Sequence, residues 1–171
     1  MIQLRDYQIE IRDKAVDKMR DSGWCYLAME VRTGKTLTSL SIADNLGAQN
    51  VLFLTKKKAI SSIESDNEML GADYNLHVIN YESIHKIPEA HWDVVVCDEA
   101  HTMGALPKPS KRSKQVRALL AKHRPYVILM SGTPTPESYS AMYHQVYGIP
   151  GNPFSHYPNF YRFANEFVNV R

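Results

Sequence analysis

The chain has 171 residues, 44% of them hydrophobic, and a formal net charge of +2. That is enough apolar material for one domain with a buried core, and too little charge bias to indicate a partner by itself. No apolar run reaches the roughly 18 residues that a membrane-spanning helix needs, and the opening Met-Ile-Gln-Leu-Arg-Asp lacks the basic-then-apolar pattern of a secretory signal.

Taken in chain order, Leu4, Tyr7, Ile11, Ala15 and Met19 recur every three or four residues and predict an amphipathic helix from about Asp6 to Asp21, ended by Ser22-Gly23. An apolar run, Trp24 to Ala28, predicts a buried strand, and a helix-like segment follows from Leu37 to Leu46. Between them lies Met29-Glu30-Val31-Arg32-Thr33-Gly34-Lys35-Thr36. Gly-Lys-Thr in that position reads as a phosphate-binding loop. A glycine admits backbone N–H groups close to a polyphosphate at a helix N-terminus, a lysine reaches the β- and γ-phosphates, and a hydroxyl ligates magnesium. The first glycine usual in such loops is absent, with Met29 in its place.

Asn50 opens a second apolar strand, Val51 to Leu54, followed by a polar helix at roughly Lys57 to Leu70, a short strand at His77–Ile79 and a short helix from Tyr81 to Lys86. The strand Asp93 to Cys97 delivers Asp98-Glu99-Ala100-His101. One carboxylate there suits a magnesium shell and the other suits orienting a water. A helix from Lys111 to Lys122, a strand from Tyr126 to Met130 and a helix opened by Pro136 and running to about Tyr147 come next. Gly148 to Pro158 reads as a loop, and Phe160, Phe163 and Phe167 suggest a terminal helix with one aromatic face. Strands apolar at every position and separated by helices predict a parallel sheet covered on both faces, an α/β fold. Cys25 and Cys97 both fall in predicted strands and read as reduced, buried thiols. Joined to the Asp-Glu strand end, the Gly-Lys-Thr loop marks a nucleoside triphosphatase core.

The order of the motifs resembles that of superfamily 2 helicases, and in particular their Swi/Snf-like branch. Leu4-Arg5-Asp6-Tyr7-Gln8 resembles the adenine-recognition element. Glu30 to Thr36 is similar to the branch's phosphate loop, where the first glycine is also lacking. Asp98 to His101 is the Asp-Glu-Ala-His (DEAH) box, Ser131-Gly132-Thr133-Pro134 resembles the third motif, and Tyr143 to Phe163 is similar to the stretch that follows it. The resemblance spans essentially all 171 residues. It implies a three-layer RecA-like P-loop NTPase lobe, with a mainly parallel central sheet flanked by helices, that binds ATP and magnesium as the first lobe of a DNA-dependent ATPase motor. Residues 1–171 form one such domain, with 148–171 leading toward a second RecA-like lobe that the sequence does not contain. An excised lobe of a longer, cytoplasmic protein is expected (nucleoid-associated or viral, or nuclear in a eukaryote), monomeric and with no membrane partner. The alternative is a non-hydrolysing regulatory module that holds ATP or DNA.

The same resemblance assigns roles. Lys35 contacts phosphate, Thr36 and Asp98 hold magnesium, the latter largely through water, and Glu99 orients the attacking water. Arg32, Thr33 and Gly34 offer backbone to the phosphates, the Arg32 side chain being solvated or a contact. Gln8 reads adenine, with Arg5 and Tyr7 lining the pocket, unless the trio only caps and packs the helix. His101, Ser131, Gly132 and Thr133 couple the nucleotide site to its surroundings, although His101 also fits a satisfied core histidine and the third motif a turn. Nucleic-acid backbone contacts fall on Thr55, Lys56 and Lys57, and on Asn80 and Tyr81. Seven Lys or Arg and no acid lie between Lys108 and Arg124. Lys111 and Arg112 within that run form either a phosphate contact or a solvated helix face.

Overall fold

The computed structural model describes residues 2–29, 34–100 and 111–131, the side chain of Ser113 excepted. The predicted helix from Pro136, the 148–158 loop and the terminal aromatic helix lie outside the described residues.

Helix α1 (Asp6–Ser22) ends where Gly23 turns left-handed at φ 84° and donates its N–H to the Met19 carbonyl, a geometry that glycine adopts without a Cβ penalty. Then follow β1 (Trp24–Ala28), α2 (Lys35–Asn45), β2 (Asn50–Thr55), α3 (Ile60–Leu70), β3 (Asn75–Asn80), β4 (Val94–Cys97), α4 (Lys111–His123) and β5 (Tyr126–Ser131). Two 3₁₀ segments, Lys57–Ala59 and Tyr81–Lys86, follow β2 and β3.

The five strands form one sheet in the order β1-β5-β4-β2-β3, and every pairing is parallel. Because side chains alternate across a strand, each strand feeds two cores. Trp24, Tyr26, Leu52, Leu54, Val95, Cys97, Val127 and Leu129 face one side, where Val116, Leu119 and Leu120 of α4 and Ile84 cover them. Cys25, Leu27, Val51, Phe53, Val94, Val96, Ile128 and Met130 face the other, under α1, α2 and α3. Layers of helix, sheet and helix are thus a consequence of strands that are apolar on both faces.

Within the described residues the predicted elements recur, with several ends shifted by one or two residues, such as α2 starting at Lys35 and β4 at Val94, the Tyr81–Lys86 helix being 3₁₀, and three further differences. The polar helix after β2 begins as a 3₁₀ turn, with α3 starting only at Ile60. The short strand at His77 extends over Asn75–Asn80, since it pairs with β2 along its whole length and backbone hydrogen bonds need no apolar side chains at its ends. In α1 the inward stripe takes Gln8, 5% exposed, while Tyr7 is 37% exposed. Among the described residues no helix is long and apolar enough to cross a membrane.

Cys25 and Cys97 are free and fully enclosed. Burial pushes both thiols up to about 12, the Asp98 carboxylate contributing to Cys97. The unfolded thiols ionise near the ordinary value of 9.0 while the folded ones hold their protons to about 12, so folding stability falls as pH rises across that interval. Thiolate is the reactive form. Iodoacetamide at pH 8 should therefore leave both cysteines unmodified in the native chain and alkylate both in urea. Rapid native labelling of either would place its strand outside the core.

Candidate functional site

An all-parallel sheet delivers the carboxyl ends of its strands to one edge, the edge where ligands sit in open α/β folds. Four features meet there: the start of α2 after β1, Thr55 at the end of β2, Asp98-Glu99 after β4 and Ser131 at the end of β5. Strand β5 lies between β1 and β4, so Asp98 stands two strand spacings from the α2 start, about 10 Å. A lysine side chain is long enough to bridge much of that gap.

Lys35, the first residue of α2, does so. Its Nζ lies 3.4 Å from Asp98 Oδ1 and 3.5 Å from Glu99 Oε1, with the lysine and Asp98 side chains only 14% and 8% exposed. Before it, Gly34 is left-handed at φ 77°. Its carbonyl accepts from Gln8 Nε2 at 3.1 Å, from Thr38 Oγ1 at 2.9 Å and from the Thr38 N–H at 3.0 Å. A Cβ on Gly34 would run into the Gln8 carboxamide. Gln8 Oε1 in turn accepts the Arg5 N–H at 2.8 Å, one half of a capping box. The glutamine therefore ties the start of α1 to the start of α2. Its carboxamide carries a second N–H and a second lone pair beyond these bonds. Gly34, the residue before α2, supplies no side-chain cap to its first N–H groups, and Thr36 is half-buried in the same turn.

Asp98 is held at four points. Its N–H donates to the Leu54 carbonyl at 2.8 Å. Its Oδ2 accepts from Thr55 Oγ1 at 2.8 Å and its Oδ1 accepts from the Glu99 N–H at 2.9 Å. Its carbonyl accepts the Tyr81 hydroxyl at 2.6 Å. Glu99 follows at φ 54°, a left-handed backbone that a non-glycine residue keeps only when its neighbours impose it. Burial drives the Tyr81 phenol well above its ordinary range, with Cys97 and Asp98 adding to the shift.

Magnesium suits this donor set. Carboxylate and hydroxyl oxygens are hard ligands, and Asp98 with Glu99 already draws a cationic group, the Lys35 ammonium, to their oxygens. Among the described residues no cluster of three His, Cys, Asp or Glu could hold a metal alone. Phosphate oxygens and water would have to complete the shell.

Two residues expected at a nucleic-acid surface are elsewhere. Thr55 and Tyr81 are buried, and both hydroxyls are spent on Asp98, so neither side chain can meet a phosphate backbone. Lys56, Lys57 and Lys111 are exposed and Asn80 is half-buried. The Asn80 amide donates to Glu82 Oε2 at 3.0 Å. Arg112 pairs with Glu82 Oε1 at 2.9 Å and lies 4.6 Å from the Tyr81 ring centroid. Arg5 and Tyr7 are exposed near the α1 start, and Ser131 is buried. Arg32, Thr33, His101, Gly132 and Thr133 lie outside the described residues. The support that Thr55 gives Asp98 comes from the sheet register: Leu54 pairs with Cys97, and the next residues of the two segments are Thr55 and Asp98.

The SNF2-related domain family matches residues 50–168, well over half of the chain. The chain belongs to that family. The res subunit of type III restriction enzymes matches residues 1–67. Among curated relatives, the RNA polymerase-associated protein RapA of Sodalis glossinidius is 28% identical over 114 residues, 64% of this chain and 12% of that protein. RapA of Proteus mirabilis is 28% identical over 123 residues, 69% of this chain and 12% of that protein. The SNF2-related chain thus spans about an eighth of these relatives. Its fold is that of helicase RecA-like lobes. The type ISP restriction-modification enzyme LlaGI, solved with a DNA substrate mimic, aligns at TM-score 0.58 and 18% identity over 78% of this chain and 18% of that one. LlaBIII, solved bound to DNA, aligns at 0.54 and 21% over 78% and 13%.

The Gln8–Gly34 contact makes a prediction. Gly34→Ala adds a left-handed alanine, roughly 1–2 kcal/mol, and a clash with the Gln8 amide. It should lower the urea midpoint in the wild-type background and cost clearly less in a Gln8→Ala background. Equal costs in both backgrounds would show that the two residues do not touch.

Proposed function

We propose that this SNF2-related chain is the ATP-binding first motor lobe of a DNA translocase, hydrolysing ATP to move along DNA once a second lobe closes over the nucleotide. The observation that carries the reading is the Lys35 ammonium held between Asp98 and Glu99 at the start of a helix. Such a group answers to phosphate on one side and to carboxylate on the other.

On this reading Lys35 leaves the carboxylates for the β- and γ-phosphates, while N–H groups at the start of α2 and the close backbone at Gly34 receive the rest of the polyphosphate. Thr36 and Asp98 would hold magnesium, which supplies charge neutralisation at the phosphates. Glu99 orients the attacking water and accepts its proton. Gln8 presents its second N–H and lone pair to adenine, with Arg5 and Tyr7 beside it. His101, Ser131, Gly132 and Thr133 link this site to the moving parts. DNA is met through its backbone by Lys56, Lys57, Asn80, Lys111 and Arg112, with little sequence preference.

Calorimetry tests the assignment. ADP with magnesium should bind the wild-type chain measurably and Lys35→Ala should abolish the binding; equal affinity would remove the phosphate site. ATP should outcompete GTP, because guanine sets an acceptor where adenine offers an amine and a mispaired buried polar group costs about 1–3 kcal/mol.

Turnover separates this motor from a module that only binds. An arginine supplied by a closing lobe is worth roughly 10³–10⁵ in rate. The 171-residue chain should therefore hydrolyse ATP barely above background. Adding a second lobe should produce DNA-dependent hydrolysis, which Glu99→Gln abolishes without weakening ATP binding. Brisk DNA-stimulated turnover by the chain alone would contradict the account, and silence after a second lobe is supplied would favour the binding module.

A further inference from the structure

The corner at Asp98–Glu99 depends on a residue that touches neither carboxylate. Tyr81 lies 17 residues earlier, at the start of the 3₁₀ segment after β3. Its ring is buried among Leu54, Ile84 and Cys97 in the core on the α4 side of the sheet. Its hydroxyl donates to the Asp98 carbonyl, not to the side chain. That bond fixes the peptide joining Asp98 to Glu99, and so fixes the direction in which the chain leaves β4. Glu99 then takes its left-handed backbone and brings Oε1 to Lys35.

The outer side of the Tyr81 ring is covered by a cation. Arg112 of α4 stacks 4.6 Å from its centroid and pairs with Glu82 at 2.9 Å, while Asn80 holds the other oxygen of Glu82. The ion pair is a surface one, with side chains 32% and 65% exposed, and such pairs are individually weak. A phosphodiester presents two oxygens to a guanidinium in the same forked geometry as a carboxylate and can take the place of Glu82. Arg112 sits in an acid-free run that also carries Lys111, Lys114, Arg117 and Lys122, which concentrates polyanion at this helix.

We propose that Tyr81 is the positioning residue for the Asp98–Glu99 corner, and that Arg112, stacked on it, makes the corner respond to a nucleic-acid backbone bound along α4. The proposal rests on the nucleotide reading above and adds to it the route by which DNA reaches the magnesium carboxylate. Linkage makes the effect reciprocal: DNA and magnesium nucleotide change each other's affinity by one factor.

The test is the ratio of ADP affinity with magnesium to that without it, measured by calorimetry on the full chain with and without saturating short duplex DNA at low salt. Tyr81→Phe keeps the ring and deletes the hydroxyl. It should leave magnesium-free ADP affinity within about twofold and cut the magnesium-dependent gain about tenfold, the effect of one buried carbonyl losing its donor. DNA should shift the gain in wild type, and Arg112→Ala should erase that shift. A Tyr81→Phe chain that loses both affinities equally, or neither, overturns the positioning role. A DNA shift that survives in Arg112→Ala overturns the coupling. Lys35→Ala distinguishes the two levels. If it loses ADP while Tyr81→Phe is unaffected, only this inference fails. If it binds ADP normally, the nucleotide reading fails with it.

Discussion

One positive charge organises the functional edge of this lobe. The Lys35 ammonium, drawn 3.4 Å from Asp98 and 3.5 Å from Glu99, joins two segments that the sheet would otherwise hold two strands apart. Placing these charges in a mostly enclosed site has a desolvation cost, and removing one partner would leave the others uncompensated. The surrounding hydrogen bonds answer that constraint. Thr55 and the Glu99 N–H satisfy both oxygens of Asp98, and the Leu54 carbonyl and the Tyr81 hydroxyl fix its main chain. On the lysine side, Gly34 and Gln8 fix the first turn of α2.

The same constraint links fold to chemistry. Parallel strands bring every strand exit to one edge, and strand β5 between β1 and β4 sets the span that the lysine crosses. A shorter cation at position 35 would not reach, and a slip of β4 by one residue would turn Asp98 to the opposite face of the sheet. Polarity does not oppose that slip, since Val94 to Cys97 are all buried; the close fit of Val94 and Val96 in one core and of Val95 and Cys97 in the other, with the Asp98 N–H bonded to the Leu54 carbonyl, holds the register.

Most of this fold was legible in the linear sequence because buried parallel strands announce themselves as continuous apolar runs; Trp24–Ala28 has the same bounds in sequence and structure. The Gly-Lys-Thr segment at the start of α2 and the Asp-Glu strand end stood out for a different reason, since few residue types suit phosphate and magnesium. The lateral relations were not. That Thr55 lies beside Asp98 follows from β2 pairing with β4, a neighbour choice that sequence order does not reveal, and so its hydroxyl looked available to an external phosphate. Tyr81 misled in the same way, because an aromatic residue after a strand is equally compatible with a surface loop and with the core. Gln8 sits in the inward stripe of α1 although its polarity argues against it; its bonds to Arg5 and Gly34 offset the burial.

The most direct test of the central claim is a crystal structure of the chain grown with ADP and magnesium. The account predicts that Lys35 Nζ leaves Asp98 and Glu99 for the nucleotide phosphates at the start of α2, while the Thr55 and Tyr81 bonds to Asp98 persist. Nucleotide bound at another edge of the sheet, with the Lys35–Asp98–Glu99 contacts unchanged, would contradict it.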